Sequence, residues 1–127
     1  MATWEDVRRI ALALPETSEG SSRGMAQWSV QAKGFVWERP LGRSDIKALG
    51  ADAPDGPILG ARVADVGVKA ALIADDPAVY FTTPHFDGYP AILVRLDRID
   101  VGELDEIITE AWLTRAPKRL AEEFHLR

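Results

Sequence analysis

The sequence predicts an α+β fold: a two-layer sandwich in which a largely antiparallel five-stranded sheet carries helices on one face. Three observations lead there. Apolar residues recur at helical spacing near both ends of the chain. Short apolar runs rich in Val, Ile, Phe and Tyr come in hairpin-like pairs. A regular strand–helix–strand alternation, which would point to a parallel sheet, is missing.

The elements follow in order. Thr3 with Asp6 reads as a capping box, and Trp4, Val7, Ile10, Ala11 and Leu14 repeat on one helical face, so a helix covers 4–14 and Pro15 stops it. Residues 16–24 are polar and rich in Ser and Gly, and read as a loop. Residues 26–31 alternate apolar and polar, the pattern of a half-buried strand. A turn at 32–34, with Gly34 supplying positive φ, leads to a second strand at 35–39, and Pro40 ends it. Residues 44–50 form one helical turn with a Ser44 cap and a Gly50 stop, and 51–57 is a loop.

A third strand follows at 58–63. Asp65 or Gly67 starts a helix that buries Val68, Ala71 and Leu72 and ends before Asp76-Pro77. Strands four and five, at 79–82 and 91–96, flank a link running from Pro84 to Pro90. The fifth is apolar on both faces, as expected of an interior strand. Asp100 and Glu103 open a helix whose stripe is Leu104, Ile107, Ile108, Ala111 and Trp112. Pro117 breaks it and starts a last helix bearing Leu120 and Phe124.

Length and composition bound the function. The 127 residues are expected to form one domain over 1–127, with 46% hydrophobic and 28% charged residues, as in globular proteins. No cysteine is present, which excludes disulfides, thiolate catalysis and Cys-based metal sites and fits a reducing cytoplasm. No signal peptide and no membrane span are read, so no membrane partner is expected. Residues 1–64 carry 8 Lys/Arg against 8 Asp/Glu and residues 65–127 carry 7 against 12, so the net −5 falls in the second half. Such a chain is a poor non-specific polyanion binder, though a local basic patch remains compatible with it.

The run TTPHFDGYPAILVRLDRID, followed by ELDEIITEAWLTRAPKRLAEE, resembles the MmcQ/YjbR family. So do the first helix ending in LPE and the segment DDPAVYFTTP. The resemblance implies a CyaY-like (frataxin-like) fold and a DNA-binding label, with no catalytic residue set. Frataxin-like proteins are associated with iron through an acidic first helix. Here Glu5 and Asp6 are followed at once by Arg8 and Arg9, a departure, and neither metal nor cofactor is expected.

Two sets of candidate residues follow, both for a binding protein rather than an enzyme. For nucleic acid, Arg115, Lys118 and Arg119 would contact phosphates, with Trp28 and Trp37 as stacking platforms if they face the open side of the sheet. For a small molecule or a partner protein, His85, Asp87 and Tyr89 would converge in the Pro-bounded link, beside a sheet face lined by Gln27, Ser29 and Gln31. Asp87-Gly88 also suits a plain reversal, and no nucleophile accompanies His85, so no catalytic residue is named. A monomer or weak homodimer is the expected state.

Overall fold

The structure, a computed structural model, describes residues 1–125. It is an α+β arrangement of five α-helices and an antiparallel sheet of six strands rather than five, in the order β1-β2-β3-β4-β6-β5. The elements are α1 (Trp4–Ala13), β1 (Thr17–Ser22), β2 (Met25–Val30), β3 (Lys33–Glu38), α2 (Arg43–Leu49), β4 (Ile58–Arg62), α3 (Val66–Asp75), β5 (Tyr80–Phe81), β6 (Ala91–Arg95), α4 (Val101–Arg115) and α5 (Lys118–His125).

The additional strand is β1, which lies in the stretch read as a loop. Its residues TSEGSS have no apolar alternation, but they pair with β2 along their full length, from Thr17 opposite Val30 to Ser22 opposite Met25. Arg23 and Gly24 close the hairpin with φ of 54° and 79°, the doubly positive pattern of a two-residue turn whose twist suits the strands. The next turn repeats this at Gln31 and Ala32, with φ of 47° and 68°. Gly34 is therefore not the turn residue but part of β3, opposite Ser29, where its missing side chain leaves room for Gln27.

The register of β2 against β3 shifts between Trp28 and Ser29. That irregularity lets the neighbours Phe35 and Val36 both enter the main core, which strict alternation would forbid. This core lies between the sheet and helices α1 and α4. Trp112 is fully buried there and donates from Nε1 to the Pro15 carbonyl at 3.1 Å. Tyr80, also buried, donates its hydroxyl to Glu103 Oε1 at 2.8 Å. The Thr3 capping box is present as expected, with the Thr3 amide 2.9 Å from Asp6 Oδ2.

The opposite face is covered at one end only. There Ile58, Phe81, Phe86, Ala91 and Leu93 form a second, smaller cluster under Leu41, Leu49 and Trp37. Helix α2 and the 3-10 turn Pro84–Phe86 supply this cover. The cap of α2 is Gly42 rather than Ser44, because the Asp45 carboxylate reaches back to the Gly42 amide at 2.9 Å. Strand β6 lies between β4 and β5, the interior position its apolar faces implied. Helix α3 presents a different face from the one expected. Val68 and Ala71 are exposed, Leu72 is half-buried, and Lys69 is buried.

Candidate functional site

The uncovered part of the sheet, over β1, β2 and β3, is where chemistry accumulates. Side chains of adjacent strands that face each other share a face, so the pairing of Gln27 with Trp37 puts both on the open side. Trp37 in turn is paired with Gly60 on β4. A Cβ at Gly60 would overlap the indole, so the absence of a side chain there lets Trp37 lie flat across the sheet.

Arg39, just after β3, rises beside this ring and is held from several sides. Its guanidinium stacks 5.3 Å above the Phe86 ring, donates to the Pro40 carbonyl, and pairs with Asp45 Oδ2 at 3.1 Å. Burial pushes the Asp45 carboxyl up, but the Gly42 amide, the Arg39 charge and the Thr83 hydroxyl outweigh it and hold the group below its usual value. Asp45 therefore stays ionised and Arg39 stays fixed.

His85 completes the site. Pro84 sets the first residue of the 3-10 turn, and the His85 ring stands exposed, edge-on to Phe86 at 5.0 Å. Met25, Gln27, Trp37, Arg39 and His85 line one cleft of about 460 Å³. Arg23 also lines it. Glu38 also lines the cleft, and its carboxylate accepts from the Ala26 amide at 3.1 Å. Its lining thus combines the apolar groups of Met25, Trp37 and Pro40 with the guanidinium groups of Arg23 and Arg39 and the carboxylate of Glu38.

The expected residues divide. His85 and Trp37 meet in the cleft, whereas Asp87 and Tyr89 do not join them. Asp87 borders a separate shallow depression beside Lys69 and Gly88. Tyr89, exposed, lies under the Arg62 guanidinium at 4.9 Å. The convergence of His85, Asp87 and Tyr89 is therefore corrected: His85 lies in the 3-10 turn, whereas Asp87 and Tyr89 follow it in the turn back to β6 and face other surroundings.

Trp28 is corrected too. It is 2% exposed, stacks on Trp4 at 6.4 Å within the helix-side core, and donates to Glu19 at 3.0 Å, so no base can reach it. Of the basic trio, Arg119 lies 3.6 Å from both Glu16 and Glu123, and Lys118 lies 3.9 Å from Glu122. Arg115 is half-buried. Lys118 and Arg119 thus each have a carboxylate neighbour. Gln31 sits in the turn and donates to Glu16 rather than lining the face.

Sequence reasoning did not single out Met25, Arg23 or Lys69. Lys69 is 6% exposed and donates to the carbonyl oxygens of Phe86 at 2.6 Å and Tyr89 at 3.1 Å, so it fastens the turn bearing His85 from beneath. Burial lowers its pKa, and the Asp87 charge opposes that shift. Among the described residues, no group of three His, Asp or Glu is placed to hold a metal ion.

A two-layer α+β sandwich with one half-bare sheet face defines the class. The model of the YjbR family matches residues 12–114, and the chain belongs to that family. Uncharacterized proteins of Mycobacterium tuberculosis and Mycobacterium bovis are each 58% identical to it over 127 residues, covering 98% of this chain and 96% of theirs. The crystal structure of a Deinococcus radiodurans protein with the family-model domain DUF419 superposes with a TM-score of 0.68 at 20% identity, covering 100% of this chain and 91% of that one. That likeness is one of fold.

Proposed function

We propose that this protein binds a small planar anion in the cleft between Trp37, Arg39 and His85, and acts as a binding protein rather than an enzyme. One observation carries the reading. Two features separate in sequence, the open sheet face and the Pro-bounded turn, enclose the same cleft, with an aromatic ring and a fixed guanidinium in its lining. A flat ring placed on Trp37 would bury apolar area, while Arg39 would meet a carboxylate in the planar geometry it favours. Because Arg39 is already held by Asp45 and Phe86, little further ordering is needed on binding.

The test is an amide NMR titration with aromatic carboxylates such as benzoate and indole-acetate, alongside their uncharged amides. The acids are expected to shift Gln27, Trp37 and His85 at lower concentration than the amides. Trp37→Leu is expected to weaken binding about tenfold, the loss of roughly 1.4 kcal/mol of stacking and burial. A panel that moves none of these residues, in a folded sample, overturns the reading.

DNA binding, the function implied by the family resemblance, draws less support. Lys118 and Arg119 have carboxylate neighbours, Trp28 is inside the core, and the chain carries net −5. A mobility-shift titration at two salt concentrations, with duplex and single-stranded DNA, is expected to show no complex. A complex that weakens steeply with salt would restore DNA as the ligand.

A further inference from the structure

We propose that the outer edge of β1 is a self-association surface, where a second copy of this chain adds its own β1 antiparallel in a register centred on Gly20. The sheet has two edges, and they differ. At one, β5 is only two residues long, with Pro77 before it and Pro84 after it, too short to template another strand. At the other, β1 runs six residues and is paired along its whole length with β2. It has no Pro, no Lys and no register shift against β2, and Glu19 is its single charged residue.

Its side chains also leave the approach open. Ser18, Ser21 and Ser22 are small, and Gly20 has none. The one charged group, Glu19, turns to the helix side, where it accepts from Arg8 and from the Trp28 indole, each at 3.0 Å. The formal charge of residues 1–64 is zero, so the acidic excess of the chain lies in the other half of the sequence.

Symmetry narrows the register. Across a two-fold axis in a continuous antiparallel sheet, facing residues share a face of the sheet, so the axis passes through one residue rather than between two. An axis at Glu19 sets two carboxylates directly opposite, which is unfavourable. An axis at Gly20 sets Ser18 against Ser22 of the second copy, Glu19 against Ser21, and Gly20 against itself, with no like charges facing.

The chain has no cysteine, so single-cysteine variants read this register directly. A side chain at Gly20 meets nothing within 4 Å, so Gly20→Cys is accommodated. In the proposed register its two copies lie about 5 Å apart between Cα atoms, inside the disulfide range. Two copies of Ser22→Cys lie about 14 Å apart, four residues along the strand, and cannot bridge.

Under mild oxidation of the full chain, Gly20→Cys is expected to give disulfide dimer at least ~10 times faster than Ser22→Cys. An equimolar mixture of Ser18→Cys and Ser22→Cys is expected to give the mixed dimer. Sedimentation of the unaltered chain is expected to show a concentration-dependent dimer. Equal cross-linking of Gly20→Cys and Ser22→Cys, with a strictly monomeric parent, overturns the proposal. So does a dimer whose cross-links report another register. The Ser18/Ser22 mixture keeps the test decisive if Gly20→Cys folds poorly.

Discussion

The Lys69 ammonium donates to the Phe86 carbonyl oxygen at 2.6 Å from inside the protein, and so links α3 to the turn that carries His85. A buried cation bonded to two carbonyl oxygens is costly to dissect, because removing it leaves both acceptors short of a donor. Lys69→Met is expected to destabilise the fold by about 2–3 kcal/mol in urea unfolding. It is also expected to broaden the amide signals of residues 85–89 more than those of β6. Stability equal to that of the parent would show that the lysine is not a structural tie.

Asp45 contributes to the acid limb. Its carboxyl ionises below the ordinary value of 3.8 when folded, with burial opposed by the Gly42 amide, the Arg39 charge and Thr83. In the unfolded chain it protonates first as pH falls. Its contribution is therefore fully present above 3.8 and is lost as pH drops through the lower, folded value. Asp45→Asn is expected to flatten the loss of stability below pH 3.8 and to release Arg39, seen as weaker binding at the cleft. Parallel acid unfolding curves for parent and variant would refute this.

Tyr80 governs the alkaline limb. Burial, reinforced by its hydrogen bond to Glu103, holds its phenol well above the ordinary value of 10.0. Above pH 10 the unfolded phenol ionises while the folded one does not, so stability present below that pH declines as pH rises. Tyr80→Phe is expected to cost about 1–2 kcal/mol at neutral pH and to shrink the decline above pH 10. Urea midpoints at pH 7 and above pH 10 would decide it.

Gly60 is a packing constraint on the cleft. Gly60→Ala places a methyl group where the Trp37 indole lies, so the ring must lift. A cost of about 1–3 kcal/mol is expected, together with red-shifted tryptophan emission and weaker binding of aromatic acids. Unchanged emission would mean that Trp37 does not rest on Gly60 in solution.

Most of the fold was legible because burial writes a period into the sequence. The helix stripe from Leu104 to Trp112 and the interior strand β6 are examples, since each must satisfy a core. Strand β1 was not legible: it buries almost nothing, and what defines it is pairing to β2, which leaves no trace in TSEGSS. The same limit applies to α3, where burial of Lys69 depends on two carbonyl oxygens some twenty positions away. Trp28 was half legible. Its alternation with Gln27 showed that the two take opposite faces, but only Trp4 above it fixes which face is the core. For the cleft, His85 and Trp37 were visible as residue types, whereas their meeting depends on how the 3-10 turn packs against β3 and β4.

The bond from the Trp112 indole to the Pro15 carbonyl joins positions 97 apart. Its consequence concerns the order of events as the chain is made. The β1–β2–β3 hairpins are local and can form as soon as they leave the ribosome, but Val36 is sealed only when α4 follows, more than sixty residues later. A nascent chain stalled before residue 101 would hold a sheet whose apolar side is covered by α1 but not by α4, a natural client for a chaperone.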